Sequence, residues 1–185
     1  MSANTSTPIT LAAEIRPWEG TGWRAVSAQY ECATLALVHG NLTEHDLLET
    51  ILEETRLRPP AEAAGLHDLL ATPYRCFHLP SGSRFCTAYE PAVFYGAEDV
   101  KTACAEAGYA RLRFWRDSVG ISRQPAFLPL TLFEFHAKTD AAIDLTSAPF
   151  SERRTQWNSA NDYRATQAIA TQARRKSIQL IRYES

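Results

Sequence analysis

The run SGSRFCTAYEPAVFYGAEDVKTACAEAGYARLRFW, from Ser81 to Trp115, decides both the fold class and the chemistry. Gly82 lets the backbone turn tightly just before Arg84. Ala92–Tyr95 is short and apolar, ends at Gly96, and reads as a buried strand. From Asp99 the period changes: Val100, Ala103, Cys104 and Ala107 recur at helical spacing, with Gly108 as the C-cap. A loop, a strand and a helix therefore carry Arg84, Tyr95 and Glu106 in that order.

Downstream, Thr131, Phe133, Phe135 and Ala137 alternate along a strand. Ser159 and Asp162 open a helix that runs to about Lys176, where Arg174, Arg175 and Lys176 suit its negative end. The run 178–183 is a further strand. Upstream, Trp18 and Trp23 flank a glycine-rich turn, and 27–38 reads as a helix with Tyr30, Thr34, Leu37 and Val38 on one face. Thr43 with Asp46 is a near capping box opening TEHDLLETILEETR, whose Leu47, Leu48, Ile51 and Leu52 make an apolar stripe with the acidic residues outside. Pro59–Pro60 ends that helix, a short one follows over 61–70, and Pro73 breaks it. The Ser- and Thr-rich first eight residues read as frayed. Strands and helices without a regular βαβ repeat indicate an α+β fold, with residues 1–72 a helical N-terminal region and 73–185 a mixed-sheet core. The helical region reads as a structural buttress, or alternatively as a surface for a partner.

The net charge of −2 offers no basic face for nucleic acid. No apolar run reaches membrane-spanning length and the N-terminus has no signal-peptide core, so the expectation is a cytoplasmic protein. Cys32, Cys76, Cys86 and Cys104 form no CxxC pair. Cys76, His78 and Cys86 lack a fourth ligand at zinc spacing, so no metal is expected.

Glu106 falls on the edge of the apolar stripe of its helix, where a helix meets the rim of a cleft. The plainer alternative is a half-exposed surface glutamate. The Arg84 guanidinium can grip a diphosphate through two parallel hydrogen bonds, or else pair with Glu90 or Glu98. Tyr95 can stack on a flat heterocycle or pack in the core. Together the three are what a pocket needs to hold a dinucleotide and split its nicotinamide–ribose bond.

The spaced motifs SRF (83–85), VFYG (93–96) and ACAEAGYARLRF (103–114) resemble the RES domain, a family of bacterial toxins named for arginine, glutamate and serine. Arg84 and Glu106 match the first two, and Ser185, in IRYES, stands for the third. AIDLT (142–146) and DYRATQAIA (162–170) extend the likeness over 73–185. The upstream stretches WRAVSAQY and AAGLHDLLATPYR resemble the helical N-terminal part of longer members. Family members continue beyond the serine, which implies that this chain is a shortened form of a longer protein.

The resemblance implies an ADP-ribosyltransferase-like fold, NAD+ as substrate and no metal. It also implies a toxin held in check by a cognate antitoxin that covers the active site. Glu106 would be the catalytic carboxylate. Arg84, Tyr95 and Ser185 would bind the dinucleotide. The acceptor implied is a cellular protein, with NAD+ phosphorolysis or hydrolysis as the alternative. An inactive scaffold that only binds its antitoxin is the reading from another class.

Overall fold

The structure is a computed structural model of the chain and describes residues 10–27, 38–55, 60–75, 82–117 and 130–184. In chain order the regular elements are β1 (Arg16–Ser27), α1 (Leu42–Thr55), α2 (Asp68–Arg75), α3 (Val100–Asp117), β2 (Leu130–Asp144), the single-turn α4 (Arg154–Trp157), α5 (Arg164–Arg175) and β3 (Leu180–Arg182). Short 3-10 turns lie at Leu11–Glu14, Ala61–Ala63 and Phe150–Arg153. The strands form one sheet in the order β1-β2-β3. The protein is α+β, as its sequence indicates.

The chain divides into two compact units that interleave along the sequence. The first comprises Met1–Gly20, Phe77–Val93 and His136–Ser185; the second, Thr21–Cys76 and Phe94–Phe135.

Among the described residues, most of the large buried apolar side chains belong to the first unit. α5 forms because Thr166, Ile169, Ala170 and Ala173 recur at i, i+3, i+4 and i+7, and all four are buried. Phe150, Trp157, Ile143 and Leu145 are buried in the same unit, and the Trp157 indole Nε1–H donates to the Phe150 carbonyl at 2.8 Å. The helix ends where Ser177 adopts φ 56°, with Ile178 N–H reaching back to the Ala173 carbonyl at 2.9 Å. The chain then enters β3, which runs parallel to β2 with Ala142 opposite Leu180 and Ile143 opposite Ile181. The strand expected over 178–183 is thus present but shorter.

Among the described residues of the second unit, Ala63, Ala71, Pro73 and Ala103 are buried. An aromatic contact lies beside two glycines there. A Cβ at Gly22 would lie 2.5 Å from the Phe135 ring, and one at Gly96 would lie 2.3 Å from it, so both glycines make room for that ring. Phe94 meets Phe135 edge-on at 4.9 Å between centroids.

Several expectations are corrected. The glycine-rich stretch between Trp18 and Trp23 is part of the twelve-residue strand β1, not a turn. Gly22 serves there as ring space, so glycine content misled the reading. Residues 92–95 form no strand; backbone pairing nearby is limited to a bridge between Trp23 and Ala97, with N–H···O distances of 2.7 and 2.9 Å. Gly108 does not cap its helix: α3 runs on to Asp117, because the residues after Gly108 are good helix formers and nothing crowds the glycine. Pro73 lies inside α2 instead of ending it, since its missing N–H removes only one bond near the end of a short helix. Asn41, not Thr43, caps α1: its Oδ1 accepts from Thr43 N–H at 3.1 Å and Glu44 N–H at 3.3 Å. Finally, α1 buries none of its residues. The helix expected over 27–38 lies almost wholly outside the described residues, as do the first eight residues.

Candidate functional site

Arg84 sits at the tip of a tight hairpin. Ser83 and Cys86 pair across it, Ser83 N–H donating to the Cys86 carbonyl at 2.7 Å. Gly82 enters at φ 67°, and any Cβ there would lie 2.2 Å from the Cys86 carbonyl oxygen, so only glycine fits. The side chain is half-buried. Its Nη1 donates to the Trp157 carbonyl at 2.8 Å and the Ser159 carbonyl at 2.9 Å. The guanidinium also lies over the Tyr163 ring, 4.7 Å from its centroid. One edge of the fork therefore ties the hairpin to the segment before α5. The Nε and Nη2 edge is the part of the fork that those two carbonyls do not engage.

A polar row on α5 holds the same hairpin. Gln167, Thr171 and Arg174 lie at i, i+4 and i+7, beside the buried row. Gln167 Nε2 donates to the Ser83 carbonyl at 3.0 Å. Thr171 Oγ1 donates to Glu90 at 2.5 Å, and Arg174 Nη2 donates to the Phe85 carbonyl at 2.9 Å. Arg174 also forms an ion pair with Glu90 at 3.2 Å, and Thr87 N–H donates to the same carboxylate at 3.0 Å. Burial pushes the Glu90 carboxyl up, but the hydrogen bonds from Thr171 and Thr87 and the Arg174 charge outweigh it, leaving the pKa below the ordinary value. Glu90, weighed from the sequence as a partner of Arg84, is thus taken up by Arg174. The thiol of Cys86 is buried among carbonyls, and that burial raises its pKa, so it is not an activated nucleophile.

Tyr95 and Glu106 belong to the second unit. The Tyr95 carbonyl accepts from the Arg24 guanidinium, whose carbon lies 4.9 Å from the centroid of the Phe94 ring. Arg24, on β1, therefore fixes the extended segment leading into α3. That helix is started by Asp99, whose carboxylate accepts from Thr102 N–H at 2.8 Å and from the Thr102 hydroxyl at 2.7 Å. Glu106 stands exposed on α3, in its second turn. Tyr95 and Glu106 thus fall in one unit and Arg84 in the other; Ser185 lies outside the described residues.

The first unit also contains a cavity of about 320 Å³, lined by Arg16, Trp18, Asp144, Ser147, Phe150 and Arg182 among others. Its charges answer one another. Arg182 donates to Asp144 at 3.0 Å. Arg16 donates to the Ala13 and Ile15 carbonyls at 2.7 and 2.9 Å and lies 3.6 Å from Glu14. Arg84, which belongs to the same unit, is not among its lining residues. Among the described residues no cluster of His, Cys, Asp and Glu is arranged to hold a metal ion. No helix among them is long and apolar enough to cross a membrane.

The positioning residues Gln167, Thr171 and Arg24 were not singled out from the sequence, and Arg174 was read only as a cation at the end of its helix. The i, i+4, i+7 spacing of Gln167, Thr171 and Arg174 was visible, but not the hairpin they bind.

The RES domain matches residues 55–185, and the chain belongs to that family. The family is associated with NAD+-using toxins of toxin–antitoxin systems. No curated protein matches the chain.

Proposed function

We propose that this protein is the toxin of a toxin–antitoxin module, with an ADP-ribosyltransferase-like arrangement, that transfers ADP-ribose from NAD+ to a cellular protein. The observation that carries the reading is Glu106. It is a carboxylate held at an exposed position on a well-capped helix, directly after the tethered Tyr95 segment, within the matched domain.

The reaction is a dissociative substitution. The bond between the ribose carbon and the nicotinamide nitrogen breaks, and its electron pair leaves with nicotinamide. The acceptor's nucleophile then forms the new bond at that carbon and gives up its proton to solvent. The transition state resembles an oxocarbenium ion, as in glycoside cleavage. Glu106 accepts a hydrogen bond from a ribose hydroxyl and stabilises the developing positive charge. Arg84 presents the Nε and Nη2 edge of its fork to the diphosphate. Tyr95 stacks on the nicotinamide ring. Ser185 hydrogen-bonds the ribose. A cognate antitoxin covers this site in the resting complex.

The test is nicotinamide release from NAD+ by the purified chain, with and without bacterial lysate, beside Glu106→Ala. Release that needs lysate, with label moving to a protein band, is the expected result. Release with phosphate or buffer alone points to NAD+ phosphorolysis or hydrolysis instead. Glu106→Ala should keep its thermal midpoint, because the side chain is exposed, and lose about a hundredfold or more in turnover. Full turnover in that variant removes Glu106 from the chemistry. No release under any condition leaves the chain as an antitoxin-binding scaffold.

A further inference from the structure

α1 (Leu42–Thr55) buries no residue, yet its sequence is that of a packing helix. Leu47, Ile51 and Leu52 are 61%, 47% and 46% exposed. With half-buried Leu48 they fall within an arc of about 140° at the usual helical turn per residue. Among the described residues, every exposed large apolar side chain except Tyr89 belongs to the second unit, and α1 carries its densest run. Such a stripe on a water-facing helix marks a contact surface.

The charge of the helix says what the contact must bring. Glu44, Asp46, Glu49, Glu53 and Glu54 are all exposed, and α1 contains no lysine or arginine. His45 lies among them, 3.7 Å from Asp46 and 3.8 Å from Glu49. The helix alone therefore carries five carboxylates in a chain whose net charge is −2. A two-fold contact between copies would set α1 against α1 and face those carboxylates with their own kind. An anionic membrane surface is disfavoured for the same reason.

We propose that the α1 stripe docks an amphipathic helix of a protein partner, one whose apolar face is flanked by lysine or arginine. The mode is helix-on-helix, with Leu47, Ile51 and Leu52 as the apolar anchors and Glu49 and Glu54, which border the stripe at helical spacing, pairing with the basic flanks. This inference stands apart from the NAD+ reading and survives its failure.

The experiment uses the full chain and two labelled synthetic helical peptides with the same leucine–isoleucine stripe, one flanked by lysines and the other by glutamates. Fluorescence anisotropy should show binding of the lysine-flanked peptide and at least about tenfold weaker binding of the other. Leu47→Asp and Ile51→Asp should each weaken binding by about tenfold or more while leaving the thermal midpoint unchanged, since both side chains are exposed. The pair Glu49→Lys and Glu54→Lys should transfer the preference to the glutamate-flanked peptide. Equal binding of the two peptides, no binding, or binding indifferent to Leu47→Asp overturns the proposal. So does a dimer in sedimentation that Ile51→Asp dissociates, which would make a second copy the occupant.

Discussion

Arg84 does two things with one fork. Its Nη1 bridges the Trp157 and Ser159 carbonyls, and its plane covers Tyr163. A lysine ammonium cannot lie flat on the ring and hold both carbonyls in the same geometry. Arg84→Lys should therefore lower stability by about 1–3 kcal/mol, as for a half-buried charged donor that loses its acceptors. Thermal unfolding measures this directly, and NAD+ titration of the folded variant separates the clamp from ligand contact. An unchanged midpoint would mean that the clamp carries no stability. The sequence offered the arginine type and its glycine-started loop, but not the carbonyls it holds. They come from residues more than seventy positions away.

At the scale of elements, the second unit seats one aromatic ring against two glycines. Gly22→Ala and Gly96→Ala would each push a methyl group into the Phe135 ring. Each should cost about 1–3 kcal/mol by overpacking. Combining either with Phe135→Leu should recover part of the loss, because the smaller side chain vacates the space and the two changes are coupled. Additive losses in urea unfolding would show that the ring is not the obstacle. The same packing explains why the strand reading of 92–95 failed. An apolar run is compatible with a strand or with an extended segment held by side chains, and here Arg24 and the Phe94–Phe135 contact hold it. The helix readings did better: α1, α3 and α5 were all visible, since their apolar spacing or capping residues are local features. What was not local was the reach of α3 through Gly108, because one uncrowded glycine costs less than the following turns contribute.

For the molecule as a whole, two carboxylates of the first unit link folding to acid. Burial raises the carboxyl pKa of both Glu90 and Asp144, but hydrogen bonding outweighs it in each. Thr171 and Thr87 bind Glu90, and Thr146, Arg182 and Ser147 bind Asp144, so both are depressed in the folded state. The unfolded values lie near ~4.3 for glutamate and ~3.9 for aspartate. Their contribution is therefore complete above about pH 5 and is lost as the pH falls through the lower folded values. Glu90→Gln should lower stability at neutral pH and flatten its decline between about pH 5 and 3, as read by denaturant midpoints across that range. A decline with unchanged slope would show that Glu90 is not linked to folding.

The α+β class, helices α1, α3 and α5, the glycine-demanding turn before Arg84 and the family were all written in the sequence. Each rests on short-range spacing or on residue types that only one local conformation accepts. Tertiary structure alone decided that a glycine-rich stretch becomes β1 and that α5 grips the Arg84 hairpin through Gln167, Thr171 and Arg174. It also decided that the apolar stripe of α1 stays uncovered. The reason is physical: hydrophobic periodicity says that a face seeks a partner, but the partner is chosen by long-range packing and by the donors and acceptors that folding brings within hydrogen-bond distance.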